Sequence, residues 1–139
     1  MSSNPIPTAG VLIIENNKVL LVKPRPHSIY KNVKYGIPAG KVIVREPEMV
    51  AAIRKLKEET GLDVSANNLM PIDKTWEAVI DRGTEIVNMK LKVFIAKEYL
   101  GDLDVGGYMS PEWIDVPRIS KLDLMPNIED VVNEGLKYS

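Results

Sequence analysis

Between Gly40 and Leu62 the chain carries Glu46, Arg54, Lys55, Glu58 and Glu59 behind a glycine-bearing approach, Ile37-Pro38-Ala39-Gly40-Lys41. Residues three and four apart on a helix share a face, so Lys55, Glu58 and Glu59 fall together. Two carboxylates are a fitting offer to Mg²⁺, which prefers hard oxygens, keeps several waters and lets substrate phosphates complete its octahedron. Main-chain carbonyls around Ala39 and Gly40 would add neutral ligands. The chemistry such a set supports is metal-assisted attack of water on a pyrophosphate, the metal acidifying the water and neutralising the phosphoryl oxygens. Lys55 opposes it. Exchanging a −1 ligand for +1 about 5 Å from a divalent ion costs on the order of 10 kcal/mol at an effective dielectric of about 20. Its ammonium must therefore swing into solvent on its long stem or contact a substrate phosphate. The competing reading of Arg54, Lys55, Lys57, Glu58 and Glu59 is a solvated helix face laced with ion pairs.

Positioning these groups requires a helix and a loop. The helix is expected from about Pro47, suited to a first turn, to Thr60, with Gly61 just past its end. Met49, Ile53 and Leu56, flanked by Val50 and Ala52, form its expected core face, leaving Lys55, Glu58 and Glu59 on roughly the opposite side. Upstream, Gly10–Glu15 and Lys18–Val22 flank Asn16-Asn17 and predict a hairpin. Lys23 to Lys34 has no periodicity and predicts a loop bordering the site, and Tyr35 to Val44 a short strand and turn. Val87, Met89, Leu91, Val93 and Ile95 alternate with polar residues, and Ile72–Ile80 is their expected antiparallel partner. A second loop over Gly101–Pro111, a short strand over Glu112–Val116 and a last helix from Pro126 to about Lys137 complete the chain. Asn127 suits the cap of that helix. Trp113 is expected in the core. Tyr30 and Tyr108 lie in loops that could line a pocket, and Trp76 is a further aromatic able to stack a base. His27, the only histidine, has no ligand-spaced neighbours.

The spacing of Gly40, Glu46, Arg54, Leu56, Glu58, Glu59, Gly61 and Leu62 resembles the box of the Nudix hydrolase (MutT-like) family, G-x5-E-x7-R-E-U-x-E-E-x-G-U. Lys55 stands where the family has its first metal-binding glutamate. Tyr35-Gly36-Ile37-Pro38-Ala39-Gly40-Lys41 resembles the family's entry to the box. The resemblance implies a single domain over residues 1–139 with an α/β fold, the Nudix fold, an α/β/α sandwich around a mixed β-sheet. It implies a Mg²⁺-dependent hydrolase, with Mn²⁺ as a substitute, cleaving the pyrophosphate of a nucleoside diphosphate linked to another moiety, of nucleoside triphosphate or ADP-ribose type. Glu58 and Glu59 would bind metal and carry catalysis, with Ala39 and Gly40 beside them. Glu46 and Arg54 would pair to fix the loop against the helix. Arg25, Lys41, Lys55, Tyr30, Tyr108 and Asn127 are the expected substrate contacts. A further family carboxylate comes from a loop before a tryptophan; before Trp113 the nearest acids are Asp104 and Glu112, neither in clear register.

With 139 residues and 45% apolar side chains the chain is one domain's worth. A net charge of −1 without like-charge blocks argues against bulk nucleic-acid binding. Absence of cysteine excludes disulfides and thiolate chemistry and suits the cytoplasm, the expected location. No apolar run approaches the ~18 residues of a membrane span. A homodimer is compatible with this composition. The rival function is a binding module of the same fold that has lost turnover and senses a nucleotide or a partner protein.

Overall fold

The computed structural model describes residues 5–25, 34–81, 83, 85–104 and 107–138. Strand β1 (Ile6–Leu12) runs between two partners, parallel to β6 (Ile86–Ala96) and antiparallel to β4 (Ala39–Lys41). β5 (Leu69–Asp81) closes the other side of β6, giving a mixed four-stranded sheet in the order β4-β1-β6-β5. A second, antiparallel sheet holds β2 (Ile14–Glu15), β3 (Lys18–Pro24) and β7 (Met109–Asp115).

Alternation along the strands decides what each face covers. Ala9 and Val11 of β1 and Phe94 and Ala96 of β6 pack with Ala51, Ala52 and Leu56 of helix α1 (Glu48–Thr60). Leu12, Val93 and Ile95 point the other way, against Ile128, Val131 and Val132 of helix α2 (Ile128–Leu136). The fold is thus the α/β/α sandwich expected, and β6 is buried on both faces over its last four residues. That double covering is why its pattern there is a continuous apolar run.

The Asn16-Asn17 hairpin is present, with both residues at positive φ, 52° and 60°. Its first arm differs from expectation. Only Ile14 and Glu15 pair with β3; up to Leu12 the chain belongs to the other sheet, and it changes sheets at Ile13. The loop expected over residues 101–111 ends sooner, because β7 begins at Met109 to match Pro24 of β3. α1 starts after Pro47 and stops at Gly61, whose φ of 83° suits a residue without a Cβ. Its buried stripe is rotated from the predicted one: Met49 and Ile53 are half-buried and Val50 is exposed, while Ala51, Ala52, Leu56, Glu59 and Thr60 are inside. Alanines let the helix approach β1 closely, and that turns Glu59 inward. Trp113 is only half-buried, its ring 6.0 Å from that of Tyr99, whereas Trp76 is in the core and donates through Nε1 to Asp130 of α2. Asn127 does not cap α2 with its side chain; it takes φ 70° and donates from Nδ2 to the Glu77 carbonyl, tying α2 to β5.

Gly10 lies opposite Ala39 in the β1–β4 pairing, and a Cβ there would stand 2.7 Å from the Ala39 Cβ and 2.7 Å from the Pro38 carbonyl oxygen. Backbone cannot give way cheaply at that spacing. Gly10→Ala should therefore destabilise the domain by about 1–3 kcal/mol, the usual cost of overpacking, as read from the urea midpoint; an unchanged midpoint would mean β4 is not held against β1.

Candidate active site

The β4–α1 connection and the last two turns of α1 meet at one cluster. Arg54 organises its outer part. Its Nε donates to Glu46 Oε2 at 2.9 Å, its Nη2 to Glu46 Oε1 at 3.0 Å and to the Lys41 carbonyl at 3.1 Å, and its Nη1 to Glu58 Oε1 at 3.3 Å. Glu46 also accepts from the Ile43 N–H at 3.0 Å. The two-pronged Arg54 bond and this N–H hold the Glu46 carboxyl down, at about 2 instead of 4.5. The pair expected from sequence is formed, and it fastens the loop to the helix.

Glu59 forms the inner part. Only 6% exposed, it is turned inward, where the periodicity predicts it opposite the core face with Lys55 and Glu58. Its Oε1 accepts from the Ala39 N–H at 3.1 Å and its Oε2 from the Tyr108 hydroxyl at 3.2 Å. Burial pushes its carboxyl up to about 7, against the opposing pull of Lys55, the Ala39 N–H and Tyr108. A carboxylate in that state calls for a nearby positive charge.

Lys55 supplies one. Its Nζ lies 2.9 Å from Glu58 Oε2, 2.9 Å from the Tyr108 hydroxyl and 3.7 Å from Glu59 Oε2. Burial alone would lower its pKa, but the bonds to Tyr108 and Glu58 outweigh burial and hold it above the ordinary lysine range. The same bond to Lys55 lowers the Glu58 carboxyl. The ammonium marks a position that both carboxylates can address, and in that sense it stands in for a cation. The donor set there is two carboxylates, with no third His, Cys, Asp or Glu grouped with them among the described residues. Two carboxylates with phosphate oxygens and water fit one Mg²⁺, in place of the ammonium and not beside it.

Other expected residues divide. Tyr108 is in the cluster, though through its hydroxyl and not by offering a free ring. Ala39 contributes its N–H and Lys41 its carbonyl, while the Lys41 side chain is exposed. The Arg25 N–H donates to the Tyr108 carbonyl at 3.1 Å, which places Arg25 at the edge of the cluster. Its Nε and Nη2 are buried without a hydrogen-bond partner among the described residues. Asn127 is spent on Glu77, and among the described residues no hydrogen bond joins it to the cluster. Glu112 accepts from Tyr35, whose ring lies under the Lys23 ammonium, a separate grouping. The Asp104 N–H closes on the Thr60 carbonyl beyond the end of α1. Tyr30 and His27 lie outside the described residues. Sequence reasoning gave Gly40 no part in seating Lys55: a Cβ on Gly40 would come within 2.3–2.9 Å of the Lys55 Cε, Cδ and Cγ, so the missing side chain makes the groove for that stem. No spacing rule signals this contact.

The NUDIX domain family model matches residues 4–133. The chain belongs to the Nudix family. Hydrolysis of nucleotide pyrophosphates is the class of chemistry that goes with this membership. The fold is similar to that of a MutT NUDIX hydrolase from Burkholderia pseudomallei, with a TM-score of 0.76, 18% identity, and 95% of this chain and 98% of that one covered. It is also similar to a C. elegans Ap4A hydrolase, solved as a binary complex (TM-score 0.67, 17% identity, 96% of each chain). A third is the NUDIX domain of Shewanella oneidensis NrtR, solved with ADP ribose (TM-score 0.72, 14% identity, 99% of this chain and 90% of that). No curated protein matches the chain by sequence. None of the helices in the described residues is long and apolar enough to cross a membrane.

Removing Arg54 from this Nudix domain leaves Glu46 and the loop without their anchor. Arg54→Ala should lower Tm at neutral pH by about 3–6 °C, a modest loss because the pair is partly exposed. Glu46 is held below its unfolded value, so its contribution is full above pH 4.5 and disappears as pH falls from there through about 2. The Tm difference between wild type and Arg54→Ala should narrow over that interval, and a difference independent of pH would place the stabilisation elsewhere.

Proposed function

We propose that this Nudix domain hydrolyses the pyrophosphate of a nucleoside diphosphate linked to another moiety, of nucleoside triphosphate or ADP-ribose type, with one Mg²⁺ or Mn²⁺ held by Glu58 and Glu59. The observation that carries the reading is the buried Glu59 carboxylate facing a cation position that Glu58 shares. A divalent ion bound there would polarise a phosphoryl oxygen and acidify water. The remaining work falls to the chain itself. Ala39 N–H fixes one oxygen of Glu59, leaving the other directed at the site. The main-chain carbonyls of Ala39 and Gly40 are near enough in sequence to that fixed point to serve as neutral ligands. Arg54 and Glu46 keep the β4–α1 loop in register, so they act as positioning groups.

Arg25 supports the substrate class. Its Nε and Nη2 are buried without a hydrogen-bond partner among the described residues, its main-chain N–H is joined to the Tyr108 carbonyl, and a phosphate oxygen is a suitable acceptor for such a guanidinium. Lys41, Lys55, Tyr108 and Tyr30 are the further substrate contacts we assign. The structural relatives solved with ADP ribose and named as an Ap4A hydrolase both concern nucleotides joined through phosphates, which is consistent with this class. A cytoplasmic enzyme, alone or as a homodimer, is the setting we assign.

Lys55 favours a second reading, a nucleotide-binding or protein-interaction module without turnover, because its ammonium takes the cation position. Glu59→Gln separates the two. Glutamine keeps an acceptor for Ala39 N–H and the size of the side chain, so folding should survive. Hydrolysis of a panel including ADP-ribose and nucleoside triphosphates at saturating Mg²⁺ should fall at least a hundredfold, about 2.7 kcal/mol of barrier. Full turnover in the variant defeats the metal assignment; no turnover in the wild type on any substrate leaves the binding module.

A further inference from the structure

We propose that Lys55 determines the form in which this site accepts its cation: its ammonium and a divalent ion exclude each other at Glu58 and Glu59, so the ion enters only together with a nucleoside diphosphate whose phosphate takes over the ammonium. The inference rests on the reading of Glu58 and Glu59 as metal ligands and extends it to the order and coupling of binding.

Three observations carry it. The ammonium is held by Glu58 Oε2 and the Tyr108 hydroxyl, each at 2.9 Å, with Glu59 Oε2 at 3.7 Å. Its stem lies in the space that Gly40 leaves open, and the side chain is only 16% exposed. Such a placement is a fitted one, unlike that of a lysine trailing in solvent. Second, Arg54 is bound twice to Glu46 and reaches only Glu58 Oε1, at 3.3 Å, so among the ion pairs of the described residues Lys55 is the cation that faces Glu58 Oε2 and Glu59 together. Third, a divalent ion arriving alone gives the ammonium no new partner. It must displace a positive charge from two carboxylates into water. An ion arriving with a diphosphate brings acceptors for the three ammonium donors, at the spot where Tyr108 and Gly40 already direct the side chain. Free cation should therefore bind weakly and the cation with nucleotide strongly, and by linkage each ligand raises the other's affinity equally.

The test uses the intact protein, Mn²⁺ followed by electron paramagnetic resonance, and α,β-methylene ADP, whose bridging carbon resists hydrolysis. Lys55→Met retains the apolar stem over Gly40 and removes the charge; Lys55→Gln is a second neutral variant. Without nucleotide, both variants should bind Mn²⁺ at least tenfold more tightly than wild type. In wild type, saturating α,β-methylene ADP should tighten Mn²⁺ at least tenfold, and in the variants this coupling should shrink by a similar factor. With metal chelated, the variants should bind α,β-methylene ADP more weakly than wild type. Equal Mn²⁺ affinity in wild type and both variants, no Mn²⁺ binding by any of them, or undiminished coupling would overturn the proposal. Hydrolysis is assayed apart: a protein that shows this exchange without turnover refutes the enzyme reading and leaves Lys55's role standing, while turnover without the exchange does the reverse.

Discussion

A carboxylate taken out of water has to be answered by donors, and Glu59 sets that demand for the whole site. Its burial follows from alanines at 51 and 52, which bring α1 against β1. Its partners come from three separate places, hydrogen bonds from the Ala39 N–H on β4 and the Tyr108 hydroxyl ahead of β7, and the charge of the Lys55 ammonium one turn back on its own helix. An unsatisfied buried polar group costs more than a made hydrogen bond gains. Glu59 consequently couples the placement of both sheets to the helix.

The cluster also has an internal division of charge. Arg54 and Glu46 form a closed pair with bonds to main chain on either side, and this pair keeps its charges over the ordinary pH range. Glu58 links the two parts, accepting from Arg54 on one oxygen and from Lys55 on the other. Substitution of the glutamate expected at position 55 by lysine has thus been absorbed without stranding a charge. Glu58, Glu59, Tyr108 and Gly40 together accommodate the lysine.

Much of this was legible in the sequence because it depends on local rules. Pro47 and Gly61 bracket α1, Asn16-Asn17 turns the hairpin, and the resemblance to the Nudix box implies the pairing of Glu46 with Arg54. What escaped reading depends on tertiary placement. The rotation of α1 that buries Glu59 is decided by how closely Ala51 and Ala52 meet Ala9 and Val11, and periodicity weighed the larger Met49 and Val50 more heavily. Asn127 has the composition of a cap, yet a positive φ sends its side chain to β5. Tyr108 is legible as a pocket residue of its loop, but its hydroxyl bond to Glu59, 49 residues away in the chain, is a contact no motif signals.

The parallel pairing of β1 with β6 carries a consequence for how the cluster comes into being. Thr8 Oγ1 donates to the Lys90 carbonyl, 82 residues away. β4, which presents Ala39 to Glu59, is held in the sheet through β1. Contacts of such sequence separation require the ordering of a long intervening chain before they return any stabilisation. The hydrogen bond that fixes Glu59 accordingly depends on sheet pairing that the helix does not itself supply, and a nascent or partly unfolded chain can possess the helix with all its acids and still have no site.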